Sequence, residues 1–274
     1  MNVRAGSRAA LGPRNRPIAV IDTSALTTSS TFELSQLDAV AFLRTLPAES
    51  VDIVVTDPAY ESLEKHRAIG TTTRLKVSAG SSNPWFRVFP NARFAELFEE
   101  VYRVLKRDTH FYLMCDPETA FIVKPVAEAA GFKFWKPLVW DKMSIGMGYH
   151  YRARYEFVMF FEKGKRRLLD LGIADVLPVP RIRGGYPAEK PSALSEILIG
   201  QSSAEGDLVV DPFMGSGSSG VAALTLGRRY SGNDVAPEAL ELARKRLVEK
   251  GGVEGPVVTR PAHTALVQQR LALG

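Results

Sequence analysis

The chain has 274 residues, 45% of them apolar and 24% charged, with 22 Gly and 17 Pro. That composition excludes collagen-like, low-complexity and disordered classes and suffices for one large α/β domain or two small ones. The 35 basic and 30 acidic side chains leave a net charge of +5, compatible with an anionic partner but no proof of one. A lone cysteine, Cys115, forms no internal disulfide. No stretch approaches about 18 uninterrupted apolar residues and no secretory signal opens the chain, so a cytoplasmic protein with no membrane partner is expected.

Residues 1–16 carry Arg4, Arg8, Arg14 and Arg16 without an acid and read as a basic flexible tail. Strands and helices then alternate through a single domain expected over 17–250, followed by a peripheral tail over 251–274. Thr31 to Gln36 reads as a strand and Ala39 to Leu46 as a helix. Val51 to Thr56 is a continuous apolar strand of the kind buried on both faces of a parallel sheet. Phe94, Leu97, Phe98, Val101 and Leu105 recur at helical spacing. A strand at His110 to Cys115, a helix near Glu118 to Ala130 and strands at Phe132 to Trp140 and Arg154 to Glu162 follow. The chain closes with a helix from Pro191 to about Ile199, a strand at Asp207 to Val210, a helix at Ser218 to Leu226, a strand at Arg229 to Asn233 and a helix opened by Pro237. The sum is an α/β doubly wound, mostly parallel sheet of seven strands, with Phe132 to Trp140 and Arg154 to Glu162 as an antiparallel edge.

In such sheets ligands bind beyond the carboxyl ends of strands. After Val210 the chain reads Asp211-Pro212-Phe213-Met214-Gly215-Ser216-Gly217-Ser218-Ser219-Gly220. The small residues let backbone approach a ligand, and the following helix offers free amides to negative charge. Asp234 ends the next strand 17 residues past Gly217, where a carboxylate accepts from ribose hydroxyls. Gly215, Gly217 and Gly220 also match GxGxxG, but four residues between strand and first glycine fit a dinucleotide turn poorly. A tight turn with no ligand is the plain competing reading. The second loop, Asp57-Pro58-Ala59-Tyr60, follows the buried strand. There the Asp57 carboxylate and the Pro58 carbonyl suit the two hydrogens of a planar amine and Tyr60 suits its ring; a simple turn with Tyr60 in the core is the alternative.

Together DPAY at 57–60 and DPFMGSG at 211–217 resemble motifs IV and I of the S-adenosylmethionine-dependent DNA amino-methyltransferases. The catalytic motif comes first, and Tyr186-Pro187-Ala188-Glu189-Lys190-Pro191 resembles motif X just ahead of motif I, the order of the circularly permuted β class. TLPAESVDIVVTDPAY, the segment Gly148 through Glu156, and GRRYSGND followed by PEALELARKRL are similar to the family's flanking sequences, so the resemblance spans about residues 31–248. It implies a methyltransferase sheet whose strand order closes across the permutation. It also implies S-adenosyl-L-methionine bound by Asp38, Asp57, Lys190, Pro191, Asp211, Phe213, Gly215, Ser216, Gly217 and Asp234, with Leu37 and Asp38 bordering the adenine; Asp38 equally suits a helix N-cap. Three departures stand out. Ala59 replaces the usual second proline, Tyr186 and Ala188 replace common His and Thr, and the target-recognition segment, 163–185, is short.

The implied reaction is a direct in-line methyl transfer to an amine gripped by Asp57, Pro58 and Tyr60, needing no metal. The target base must leave the duplex, at a cost of a few kcal/mol. From Lys142 through Tyr186 nine basic residues face four acidic ones. Of these, Lys163, Lys165, Arg166 and Arg167 on an expected turn, with Arg181 and Arg183, are read as phosphate contacts; a solvated hairpin tip is the alternative. His150 and Arg152 are read as lining the target pocket, although an ion pair of Arg152 or Arg154 with Glu156 fits as well. The loop over 61–92 is expected to be mobile and to close over the base, with Arg67, Arg74 and Lys76 touching DNA. Double-stranded DNA is the implied partner, with a homodimer and a cognate restriction endonuclease as further ones. Adenine N6 is preferred, since an Asp in the first position mostly serves adenine and a Ser cytosine N4. Cytosine-N4 transfer, an RNA amine, a non-catalytic cofactor-binding module and an NAD-dependent oxidoreductase are the competing readings.

Overall fold

A computed structural model describes residues 30–62, 87–146, 150–184 and 189–256. Nine strands, β1 (Thr31–Ser35), β2 (Val51–Thr56), β3 (Leu105–Cys115), β4 (Lys133–Asp141), β5 (Tyr155–Lys163), β6 (Val176–Pro178), β7 (Leu208–Asp211), β8 (Arg229–Asn233) and β9 (Val253–Glu254), form one sheet in the order β6-β4-β5-β3-β2-β7-β8-β1-β9. Only β5 runs against its neighbours, pairing antiparallel with both β3 and β4. The seven expected strands are all present. The two additional ones are short edge pieces, β6 on β4 and β9 on β1, too brief to leave a period in the sequence. Thus β4 is not the edge, because β6 covers it. The run β2-β7-β8-β1 joins the middle of the chain to its last strands and then its first, which is the strand order that the permutation requires.

Among the described residues six α-helices cover the two faces: α1 (Ala39–Thr45), α2 (Phe94–Val104), α3 (Pro117–Ala129), α4 (Ser192–Ser202), α5 (Ser218–Thr225) and α6 (Pro237–Glu249). Along β2 the buried side chains alternate: Val54 packs with the layer of α1, α2 and α3, while Ile53 and Val55 pack with that of α4, α5 and α6. This is the period of two that a strand imposes on a sheet covered on both sides. In α2 the expected stripe of Phe94, Leu97, Phe98 and Val101 is fully buried. Asp38 caps α1 by accepting from the Val40 and Ala41 amides, and Asp116 caps α3 by accepting from Thr119. β3 starts at Leu105 rather than His110, because its register on β2 jumps between Val51 and Ile53. That bulge takes up the polar segment Lys106 to Asp108, with Asp108 at a left-handed φ of +58°.

His110 is fully buried on β3, with Nδ1 2.7 Å from Ser202 Oγ on α4 and Nε2 3.2 Å from the Arg166 carbonyl. Burial holds its pKa below the ordinary value of 6.5. A depressed histidine pKa means the unfolded chain takes the proton first, so its contribution to stability is present above pH ~6.5 and lost as pH falls below it. Urea unfolding at pH 7.5 and 5.5 is expected to show a larger acid loss for the wild type than for His110→Gln. Equal losses would refute this.

Candidate active site

Both conspicuous loops open at the carboxyl ends of adjacent strands, β2 and β7, and share one cavity of about 400 Å³, a size suited to a small molecule. Its wall includes Asp38, Asp57, Pro58, Tyr60, Lys190, Asp211, Phe213, Gly215, Ser216 and Asp234. Pro191 lies buried next to Lys190, and Gly217 is buried one residue beyond Ser216.

The cofactor-side loop is built by backbone conformation. Gly215 and Gly217 take φ of +48° and +76°, values disfavoured for residues with a side chain. A Cβ on Gly217 would stand 2.9 Å from the Ala243 Cβ of α6. Asp234 holds this turn by accepting from the Gly215 amide at 3.0 Å and the Ala236 amide at 3.0 Å. From α6, Arg246 donates to the Ser216 carbonyl at 2.8 Å and pairs with Glu189 at 2.8 Å. Asn233 exchanges hydrogen bonds with the Leu37 backbone and donates to the Pro212 carbonyl, joining the ends of β1, β7 and β8. Neither Arg246 nor Asn233 belongs to the residues expected from the sequence; both act across the sheet, where spacing along the chain carries no signal.

Asp211 is buried and accepts from the Thr56 hydroxyl at 2.6 Å, the Ser219 hydroxyl at 2.5 Å and the Phe213 amide at 3.0 Å. Burial pushes its pKa up to about 7, against those three donors and with Asp57 adding to it. Its oxygens thus tie the two loops to each other. Asp38 holds Arg93 through both carboxylate oxygens, at 2.7 and 3.0 Å, besides capping α1. The Arg93 guanidinium lies over the Phe89 ring, and Phe89 meets Phe213 edge-on at 5.0 Å.

In the second loop Tyr60 is buried, and the Ala59 carbonyl accepts from the Phe89 amide at 2.7 Å. Burial pushes the Tyr60 hydroxyl well above its ordinary pKa. Asp57 Oδ2 lies 2.5 Å from Lys190 Nζ, while Oδ1 is buried with no hydrogen-bond partner among the described residues. Glu156 sits between Lys190 and Lys142, at 3.2 and 2.6 Å. The expectation of an Arg152 or Arg154 partner for Glu156 is therefore corrected. Arg154 pairs instead with Asp141, at 2.7 Å to each oxygen, because antiparallel pairing of β4 and β5 sets Asp141 opposite Tyr155.

The basic residues divide between the two ends of the sheet. His150 and Arg152 lie between β4 and β5, and Arg181 and Arg183 follow β6; all four belong to the end where β2 and β7 open the cavity. The run from Lys163 to Arg167 does not. Register places Lys163 opposite Thr109 and Phe157 opposite Cys115, so the run lies at the far end of β3, roughly 20 Å along the strand from the cavity end. Lys163, Lys165, Arg166 and Arg167, read from the sequence as phosphate contacts, thus stand at the end of the sheet away from the cavity. Lys163 is moreover buried, its ammonium donating to the Tyr102 and Leu105 carbonyls at 2.7 and 2.6 Å. Lys165 and Arg167 are exposed and Arg166 is half-buried. Arg67, Arg74 and Lys76, like most of the 61–92 loop, and Tyr186 and Ala188 lie outside the described residues.

A doubly wound sheet whose glycine turn and DPAY loop share one strand-end cavity has the fold of solved methyltransferases. The family model for DNA methylase matches residues 51–170 and 170–245, and the chain belongs to that family. DNA adenine methyltransferase YhdJ of Escherichia coli strain K12 is 27% identical over 249 residues, covering 77% of this chain and 80% of its own length. Among solved structures, M1.HpyAVI in complex with SAM superposes with a TM-score of 0.58 at 21% identity, over 79% of this chain and 100% of that one. The cytosine-N4-specific PvuII DNA methyltransferase superposes with a TM-score of 0.63 at 17% identity, over 83% and 95%; these two likenesses show the fold.

Proposed function

We propose that this DNA methylase transfers a methyl group from S-adenosyl-L-methionine to the exocyclic N6 of an adenine flipped out of duplex DNA. The observation that carries the reading is Asp57 Oδ1, a buried acceptor without a partner among the described residues, beside Tyr60 on the same cavity as the glycine turn. A buried carboxylate oxygen without a donor is costly unless a ligand supplies one. An amine hydrogen is such a donor, and the Pro58 carbonyl in the same wall suits the second hydrogen.

The cavity fits the methyl donor. Gly215 and Gly217 admit close backbone approach, Asp234 lies just past β8 where ribose hydroxyls would be met, and Phe89, Phe213 and Arg93 offer planar surfaces beside Asp38. When bound, S-adenosyl-L-methionine supplies an electrophilic methyl on a sulfonium. The chain's own part is to hold the amine in line and to draw its hydrogens toward Asp57 and Pro58, which frees the nitrogen lone pair. His150, Arg152, Arg181 and Arg183 at the cavity end suit phosphate.

The aspartate that opens the loop and the adenine enzyme of Escherichia coli among the relatives support N6. Likeness to the cytosine-N4 enzyme supports the second reading, which keeps the same geometry on a smaller base. Incubation with methyl-labelled S-adenosyl-L-methionine and unmethylated mixed-sequence duplex, followed by nucleoside digestion, separates them. Label in 6-methyladenine is the expected result; label in 4-methylcytosine moves the substrate, and unlabelled DNA overturns the reading. Arg246 braces the glycine turn from outside the cavity wall, so Arg246→Ala is expected to weaken cofactor binding roughly tenfold, the loss of one charge-assisted hydrogen bond. Titration calorimetry checks this, and unchanged affinity would refute it.

A further inference from the structure

Four charged side chains from four separate parts of the chain stand in a line at the cavity. Lys142, just past β4, lies 2.6 Å from Glu156 of β5; Glu156 lies 3.2 Å from Lys190, ahead of α4; and Lys190 lies 2.5 Å from Asp57. Two cations and two carboxylates cancel, which makes their burial tolerable. The Lys190 ammonium is committed to two carboxylates on the amine side of the cavity. We infer that Lys190 and Glu156 are positioning residues for amine transfer: Lys190 fixes the Asp57 carboxylate by Oδ2 so that Oδ1 meets the amine, and Glu156 draws away part of the Lys190 charge so that Asp57 stays basic enough to take the amine's proton.

This rests on the amino-methyl transfer proposed above. In that step the amine nitrogen bonds the methyl carbon, and the carbon–sulfur bond breaks with its electron pair passing to sulfur. The nitrogen, now positively charged, gives one hydrogen to Asp57 Oδ1, and that proton passes to water as the product leaves. An acceptor paired only with a lysine would be too weak for this, and an unpaired buried one would already hold a proton.

The surroundings of Asp57 agree. Burial pushes its pKa up, Lys190 opposes this, Glu156 adds to it and Lys142 lowers it. Glu156 is held below its ordinary value, because Lys190 and Lys142 outweigh its burial. Burial lowers the Lys190 pKa, yet Asp57 and Glu156 together raise it above the usual value. The other groups facing this cluster are Asp211 at the end of β7, Cys115 and Asp116 at the end of β3, and Tyr60 of the same loop. Burial raises the Tyr60 and Cys115 pKa values, so both are neutral at pH 7.

The test follows the Asp57 carboxyl by ¹³C NMR titration in the full chain, with Asp57→Asn assigning the signal, beside single-turnover rates against pH on mixed-sequence duplex. Lys190→Met removes a cation and is expected to raise the Asp57 titration by about one unit or more. The acid limb of the rate should rise with it, and the rate itself should fall roughly 100-fold at saturating cofactor. Glu156→Gln removes a negative charge and is expected to move titration and acid limb the other way. Lys190→Arg should restore most of the rate. A purely structural role would not shift two limbs in opposite directions. If Lys190→Met does not fold, Lys190→Arg and Glu156→Gln carry the test. Titrations unmoved in labelled-DNA-forming protein overturn the inference alone, as would a Lys190→Met that loses cofactor affinity and keeps its rate. Wild-type protein that labels no DNA overturns the amine-transfer reading as well.

Discussion

Asp57→Asn is expected to lower single-turnover methyl transfer by roughly 10²-fold to 10³-fold, the scale of removing a preorganised transition-state acceptor, with affinity for S-adenosyl-L-methionine retained within a few-fold. The asymmetry follows from the two oxygens. Oδ2 faces Lys190 at 2.5 Å, while Oδ1 has no partner among the described residues. In an asparagine the single carbonyl oxygen must serve either the Lys190 ammonium or the amine, and the amide NH2 in the other place donates where an acceptor is needed. The glycine turn lies on the other loop and is untouched, so cofactor binding is the control. Wild-type turnover by a folded Asp57→Asn protein would remove this carboxylate from the reaction.

Gly217→Val is expected to destabilise the chain by about 3 kcal/mol, from left-handed strain of about 1–2 kcal/mol and overpacking of similar size. Gly217 holds φ at +76°, and an added Cβ meets the Ala243 Cβ at 2.9 Å and its Cα at 3.2 Å. Both atoms belong to α6, whose packing on α5 and β1 leaves little room to withdraw. For a domain of this size the melting temperature should fall by roughly 6–12 °C. Gly251→Ala gives the comparison: φ is +89° there with nothing within 4 Å of the added carbon, so only the strain remains and the loss should be about half or less. Thermal unfolding of the two variants side by side decides it, and equal losses would show that contact with α6 is immaterial.

The central fold was readable because its signals are local. Val51 to Thr56 is apolar throughout, Phe94, Leu97, Phe98 and Val101 keep helical spacing, and Pro237 marks the start of α6. The cavity's two loops were readable for a similar reason: each lies directly after a buried strand. What escaped notice depends on contacts between segments far apart. Glu156 looked like a partner for its neighbours Arg152 and Arg154, yet the antiparallel register gives Arg154 to Asp141 and leaves Glu156 to Lys142 and Lys190. The cluster from Lys163 to Arg167 looked like one basic patch near the target. Strand direction sends it to the opposite end of the sheet, and Lys163 satisfies buried carbonyls instead. Charge counted along a sequence says nothing of which end of a strand it reaches.

The pairing of β1 with β8 bears on how the molecule is made. Leu37 and its partner Asn233 are 196 residues apart in the chain, so among the described residues β1 has no partner strand until β8 has been synthesised. The segment from β2 through β5 already contains the β2–β3, β3–β5 and β4–β5 pairings, and α1 packs on α2, so this part is free to condense early, whereas β2 waits for β7 and β1 for β8. Closing so long a loop late is slow, and through that interval the β1 edge stays open. The nascent chain would then carry the β2–β5 pairings before Lys190, the glycine turn and β8 exist, and a chaperone that shields β1 during translation should raise the yield of folded protein more than one acting after release.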